Sequence, residues 1–361
     1  MLVENRMWKD RRVLITGHTG FKGSWLSLWL TELGAQVTGL ALAPVSPSLF
    51  EQARVADRVR HIVGDIRDLA AVEQAVAEAR PEIVFHLAAQ PLVRLSYDQP
   101  VETFSTNVQG TVHVLDACRR APGLKGIVCV TSDKCYENQG WAWPYRESDP
   151  MGGHDPYSAS KGATELVATA YRRSFFHSGE SALLATARAG NVIGGGDWAA
   201  DRLIPDIVRA LLAGVDVDIR SPHSVRPWQH VLDALGGYIL LASRVLAGDR
   251  QVADGWNFGP DDSDARPVAW IVQQMLGAWG RGDWRNDDAP KVHEASLLRL
   301  DCSKAMAELG WRPTWPLAKA LEMIVAWHQA VDRGEDALAI SLAQLSEFRA
   351  AYAATLKEAN S

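Results

Sequence analysis

No stretch of this chain is apolar for long enough to cross a bilayer. SWLSLWLTELG, the run richest in Trp and Leu, falls far short of the ~20 residues that a spanning helix needs. The opening MLVENRMWKDRR is polar and charged, so neither a secretory leader nor a membrane partner is expected. Cysteines are few. Cys118, Cys129, Cys135 and Cys302 are scattered and form no CxxC. No disulfide framework and no metal site are therefore expected, and the thiols fit the reducing cytoplasm. Basic runs are missing too: the net charge is −6 and both signs are interspersed, which argues against nucleic acid as a partner. An anionic small ligand is not excluded, because a few local arginines can hold one whatever the net charge. Internal repeats and low-complexity segments are also absent.

What is present is ordinary globular composition, 47% hydrophobic and 22% charged over 361 residues. A chain of this size buries about three-quarters of its unfolded surface and needs no covalent staples. Arg12–Thr16 reads as a strand. Gly17-His18-Thr19-Gly20-Phe21-Lys22-Gly23 follows at once, then an apolar helical run that Gly34 ends as a C′ glycine. Spacing of the glycines is GxxGxxG. Gly17, Thr19, Gly20, Phe21, Lys22 and Gly23 thus make a tight turn, with a helix N-terminus aimed at a dinucleotide pyrophosphate.

A second strand, 36–42, runs out into Ala43-Pro44 with no acid to hold the ribose hydroxyls, and Lys22 can tolerate a 2′-phosphate. The choice between NAD and NADP is therefore open. A third strand ends at Asp65 and Ile66, placed to touch an adenine ring, while Asp68 reads as a helix cap. In the fourth, 82–90, Ala88 and Ala89 let ribose and phosphate approach the backbone beside Gln90, and His86 reads as a packed strand-end residue. An amphipathic segment from about 100 to 120 carries Asn107, taken as a further cofactor contact, before a fifth strand at 125–131. Alternating strands and helices predict an α/β fold: a Rossmann-type doubly wound parallel sheet with right-handed crossovers and a smaller mixed C-terminal substrate lobe. Ligands then sit outside the carboxyl ends of the strands.

Ser132, Asp133 and Lys134 stand at the end of that fifth strand. Tyr157 and Lys161 are four apart in a helix opened by Asp155 and Pro156, so they share a face. An ammonium near a phenol favours the phenolate, and a helix N-terminus favours it further. Such a tyrosine takes a proton from an alcohol while hydride leaves the same carbon, and Ser132 hydrogen-bonds that oxygen. Cys135, beside them, reads as a small buried core residue.

GxxGxxG, HLAAQ, a strand-end Ser and YSASK together resemble the extended short-chain dehydrogenases that act on sugar nucleotides. In that family the 4,6-dehydratases carry an acid/base pair after the Ser, usually Asp-Glu or Thr-Glu, and simple 4-epimerases lack one. The Asp133-Lys134 form comes with GHTGFKGSWLSLWL, AAQPLVRLSY, TSDKCYEN, YRESDPMGGHDPYSASKG, RAGNVIGGGDWAADRLIPD and RPWQHV. It is similar to the dehydratases of CDP-glucose, from about Gly17 to Trp315. The resemblance implies NAD as cofactor and CDP-glucose or a related nucleotide sugar as substrate. It also implies C4 oxidation, loss of water across C5 and C6, and return of hydride to C6. By analogy Asp133 is the acid toward O6, and Lys134 is either the C5 base or a fixed charge that stabilises the enolate. Arg202 and Arg226 match positions that grip the diphosphate, where the arginine fork suits two phosphates. Asn191, Trp228, Asn257, Arg94 and Ser96 are further implied substrate contacts. Arg188 reads either as a structural tie or as a ligand contact.

An NAD-binding domain over 1–188 and a sugar-nucleotide lobe over 189–361, with some chain returning to the first domain, are expected. So is a homodimer or dimer of dimers through helices near 100–120 and 157–178. Trp228, Gln229 and His230 read as the start of a helix. Nothing in the residue chemistry separates one nucleobase from another. A different sugar-nucleotide dehydratase or epimerase, and a non-catalytic dinucleotide sensor, are the rival readings.

Overall fold

The apolar runs at β1 (Arg12–Thr16), β2 (Gln36–Ala41), β3 (Arg60–Val63), β4 (Ile83–His86), β5 (Gly126–Val130) and β6 (Leu183–Ala189) all enter one parallel sheet in the computed structural model. It describes residues 6–179, 181–286 and 298–359. β10 (Gly255–Phe258) is the seventh strand, and the order is β3-β2-β1-β4-β5-β6-β10. β4, β5 and β6 are buried at every position, as strands covered on both faces must be. Residues up to 189 thus supply six strands, and the chain returns from the second lobe to add the last.

Two helical layers cover the sheet. On one side lie α1 (Phe21–Glu32), α6 (Val231–Leu246) and α9 (Ala337–Ala359), where Trp25, Trp29, Tyr238, Phe348 and Tyr352 share a core. On the other lie α2 (Leu69–Ala79), α3 (Gly110–Arg119) and α4 (Pro156–Ser174), around Val72, Val114, Leu115 and Ala168. Gly34 has φ +87°, the left-handed value expected of the residue ending α1. Asp68 caps α2 by accepting from the N–H groups of Ala70 and Ala71, as expected. Asp155 caps α4 ahead of Pro156 in the same manner.

The helix expected over 100–120 is interrupted. Ser105–Gln109 is a π-turn between Pro100–Phe104 and α3. Thr111 and Thr164 both donate to the Asn107 carbonyl, at 2.6 and 2.9 Å, and this carbonyl is thereby drawn out of regular helix pairing.

The second lobe is built on a small sheet of order β11-β9-β7, with β7 (Asn191–Ile193), β9 (Val225–His230) and β11 (Ala265–Pro267). β8 (Val217–Ile219) pairs with β12 (Trp284–Asn286). Around them α5 (Leu203–Ala213), α7 (Val268–Trp279) and α8 (Leu317–Asp332) enclose a separate core of Ile207, Val272, Met275 and Ile324. Trp228, Gln229 and His230 belong to β9 and do not start a helix. Asn191, Val192 and Ile193 pair with them, and Gln229 donates to the Phe258 carbonyl. His230 then caps α6 by accepting from Leu232 N at 3.3 Å.

Candidate active site

A cleft of about 1340 Å³ runs across the carboxyl ends of β1, β2, β4, β5 and β6 and continues under the second lobe. At its first end the glycine turn packs directly on the β4 exit. Gly17 has φ +80°, and a Cβ there would lie 2.7 Å from Ala88 N. Gly23 would meet Gly17 O at 2.2 Å. Gly20 caps α1 without a side chain, so the first-turn N–H groups are left for an anion. This cradle fits a dinucleotide pyrophosphate. Gly17, Thr19, Gly20, Phe21, Lys22, Gly23, Asp65, Ile66, Ala88, Ala89 and Gln90 all line it. Arg67, absent from the sequence expectation, lines it as well and chelates Asp65 at 2.6 and 2.8 Å, holding that carboxyl below its ordinary value.

The end of β2 carries Leu42 and Ala43 into the cleft, with no acid. Lys22, from the glycine turn, lies within reach of charges farther along the cleft. The charges acting on it are Lys161 and Asp133 of the cleft's centre and Arg202 and Asp197 of its second end. Burial, then Arg202 and Lys161, push its amine down to about 7.

Three expected ligand contacts lie behind the cleft wall. Asn107 is buried: its Oδ1 accepts from Gln90 N at 2.8 Å, and its Nδ2 donates to Gln90 O and Ser160 Oγ. It therefore fixes Gln90 against α4. Ser96 donates to Val93 O and accepts from Tyr157 N at 3.2 Å, which steadies the first turn of α4. Asn257 accepts from Tyr136 and donates to the carbonyls of Tyr145 and Asp301. In each case the amide or hydroxyl is occupied by protein. Arg188, read two ways from sequence, is structural: it forms a buried ion pair with Glu165 at 2.8 Å and donates to Tyr136 Oη. Burial pushes Glu165 up, but Arg188 and the Thr131 and Thr186 hydroxyls outweigh it and hold the carboxyl low. His86 is packed between Thr16 and Thr111, and Cys135 is fully buried, both as expected.

At the centre, β5 delivers Ser132 and a tight turn, Asp133–Cys135, while α4 delivers Tyr157 and Lys161. All five candidate catalytic residues line the cleft. Ser132 Oγ donates to Asp133 Oδ1 at 2.9 Å and accepts from Lys134 N at 3.2 Å. Burial raises the Asp133 carboxyl against the pull of Lys134, Ser132 and Lys22. Asp133 Oδ2 faces Gly190, where a Cβ would approach to 2.8 Å. Burial pushes the Lys161 amine down. Tyr157 departs from expectation. Burial pushes its phenol up to about 12, with Asp133 adding to the rise and the Ser132 hydrogen bond opposing it. The chain alone does not present a ready phenolate.

Beyond these, Arg94, Asn191, Arg202, Arg226 and Trp228 line the second end. Asp197, which sequence reasoning passed over, holds Arg202 at 3.0 Å; its signal is the five-residue spacing in DWAADR. Arg220 lines the same wall and was also missed.

A family model described as GDP-mannose 4,6 dehydratase matches residues 14–324. CDP-glucose 4,6-dehydratase of Salmonella typhimurium is 54% identical over 356 residues, 97% of this chain and 99% of that protein. The chain belongs to this family of nucleotide-sugar 4,6-dehydratases. The solved dTDP-glucose 4,6-dehydratase DesIV of Streptomyces venezuelae, with NAD and TYD bound, aligns at a TM-score of 0.75 and 28% identity. That alignment covers 91% of this chain and 99% of the other. UDP-glucose 4-epimerase of Mycolicibacterium smegmatis is 30% identical over 87% of this chain and 97% of its own. Overall likeness to dehydratases therefore extends to an epimerase, and the residues of the cleft carry the distinction.

Proposed function

We propose that this dehydratase converts CDP-glucose to CDP-4-keto-6-deoxyglucose and water, with NAD as resident cofactor. One observation carries the reading: a buried Asp133 with a raised carboxyl stands beside Ser132 and Tyr157 in the same cleft. An epimerase needs only the alcohol oxidation and its reversal; a buried carboxyl raised above its ordinary value suits protonation of a leaving hydroxyl. The glycine turn, Arg67, Ala88, Ala89 and Gln90 would hold the dinucleotide, and Asn191, Arg202, Arg226, Trp228 and Arg94 the nucleotide sugar. Bound there, NAD would supply the hydride acceptor and donor for the exchange between C4 and C6.

The chain does the rest. Tyr157 receives the O4 proton, Lys134 takes the C5 proton acidified by the new ketone, and Asp133 protonates O6 as water leaves. The cleft's arginines favour a diphosphate bridge. The cytosine base rests on the Salmonella relative alone. A homodimer or dimer of dimers is supported by apolar side chains left in solvent on Pro100–Phe104 and α4: Val101 is 83% exposed and Leu166 62%. Leu115, within the 100–120 segment, is in the protein's own core. Four free, buried thiols support a cytoplasmic location.

Incubation with the CDP, GDP, UDP and dTDP forms of glucose, followed by HPLC, tests the reading. Loss of water from CDP-glucose is expected. Conversion of UDP-glucose to UDP-galactose alone would sink it.

A further inference from the structure

Residues 197–202 lie between β7 and α5, yet they reach back to the first domain twice. Their root is fixed there as well. Trp25 Nε1 of α1 donates to Gly195 O at 3.0 Å. Gly196, with φ +77°, turns against Leu49, where a Cβ would approach to 2.8 Å. Trp198 Nε1 then donates to Gln52 Oε1 at 2.9 Å, in the short helix Leu49–Gln52 that follows β2. Three residues on, Asp201 Oδ1 accepts from Arg94 Nη1 at 3.2 Å, in the short helix Val93–Asp98 that follows β4. β1 lies between β2 and β4 in the sheet, and the glycine turn leaves β1. A segment held beyond β2 and again beyond β4 therefore spans the cradle, and all six of its residues line the cleft.

We propose that residues 197–202 are a strap across the dinucleotide's exit, and that the Arg94–Asp201 ion pair is the clasp that holds it shut. This rests on the cofactor reading above and deepens it. Hydride taken from C4 has to come back to C6, so the dinucleotide must stay in the cleft through the whole cycle. A strap over the cradle keeps it there while the sugar is half converted. Asp201 acts through the strap and is a positioning residue.

The strap is tied along its length and weak at its clasp. Asp197 accepts from Ala199 N at 3.2 Å and pairs with Arg202 at 3.0 Å. Arg209 of α5 donates to the carbonyls of Trp198 and Ala199. Asp201 has φ +58°, a left-handed conformation that aspartate and asparagine adopt more readily than most residues. Its carboxyl also accepts from Arg220 at 3.4 Å, within the second lobe. The Arg94 and Asp201 side chains are each 45% exposed, so solvent screens the pair and it breaks readily. A clasp of that strength slows escape and still permits exchange between turnovers.

Release of NADH from the loaded protein, chased with excess NAD and followed by stopped-flow fluorescence, tests the clasp. Asp201→Asn suits the same backbone conformation and removes the charge. It is expected to release NADH about twofold to fivefold faster, the effect of losing one exposed ion pair. Arg94→Gln should match it. The double variant should release no faster than Asp201→Asn, because both substitutions break the same contact. Release as slow in both single variants as in the wild type overturns the clasp. So does a double variant whose acceleration is the product of the two single ones. Failure of the wild type to bind NADH at all overturns the cofactor reading beneath it, and the clasp with it.

Discussion

Gly190 packs directly against the carboxyl of the candidate acid, Asp133. A Cβ at this position would overlap Asp133 Oδ2 at 2.8 Å, and Asp133 is itself wedged in a tight turn. Gly190→Ala is expected to slow elimination on the order of 100-fold, the effect of misplacing a reacting group by about 1 Å. C4 oxidation, followed through reduced dinucleotide, should survive; equal loss of both steps contradicts the assignment. Lys134 is tested by Lys134→Glu, which retains part of the dehydration if the lysine is the C5 base. Intact oxidation with no elimination at all rules out that simple role. Ser132, Tyr157 and Lys161 were legible in the sequence because strand-end position and four-residue helical spacing determine which neighbours they meet. Asn107, Ser96 and Asn257 were not, because an amide or hydroxyl looks alike in sequence whether protein or ligand occupies it. Here protein occupies all three.

At the scale of elements, the parallel strands were the most legible part, because covering both faces demands unbroken apolar runs such as GIVCV. The β9 segment misled because its polar residues, Gln229 and His230, are satisfied by distant backbone and its own helix start. The π-turn escaped because its cause lies in Thr111 and Thr164, whose shared carbonyl acceptor only the packed fold brings to both. Trp25 and Trp29 of α1 are fully buried, so either replaced by Ala should cost about 3–5 kcal/mol in a denaturant titration. α6 carries a pH-dependent tie. Asp233 accepts from Thr314 N at 2.6 Å, and burial pushes its carboxyl up to about 7. A carboxyl raised on folding contributes stability at pH below its ordinary 3.8 and loses that contribution as pH rises through about 7. Asp233→Asn should therefore raise Tm at pH 8 and leave it nearly unchanged at pH 4. The opposite order contradicts a protonated buried Asp233.

At the scale of the molecule, the sheet and the second lobe form two walls of one cleft: the first carries the five candidate catalytic residues, and the second carries Arg202, Arg226 and Trp228. β10 and α6 lock the halves together by returning the chain to the first sheet. Assembly is tested at the exposed apolar strip. Leu166→Glu should shift a homodimer toward monomer in light scattering, without loss of the folded state; an unchanged mass contradicts that interface. The most direct test of the central claim follows the hydrogen at C4. With CDP-glucose carrying deuterium at C4, the deuterium should appear at C6 of the 4-keto-6-deoxy product. Deuterium that remains at C4 of an epimer, or is lost to water, contradicts oxidation, elimination and hydride return within one cleft.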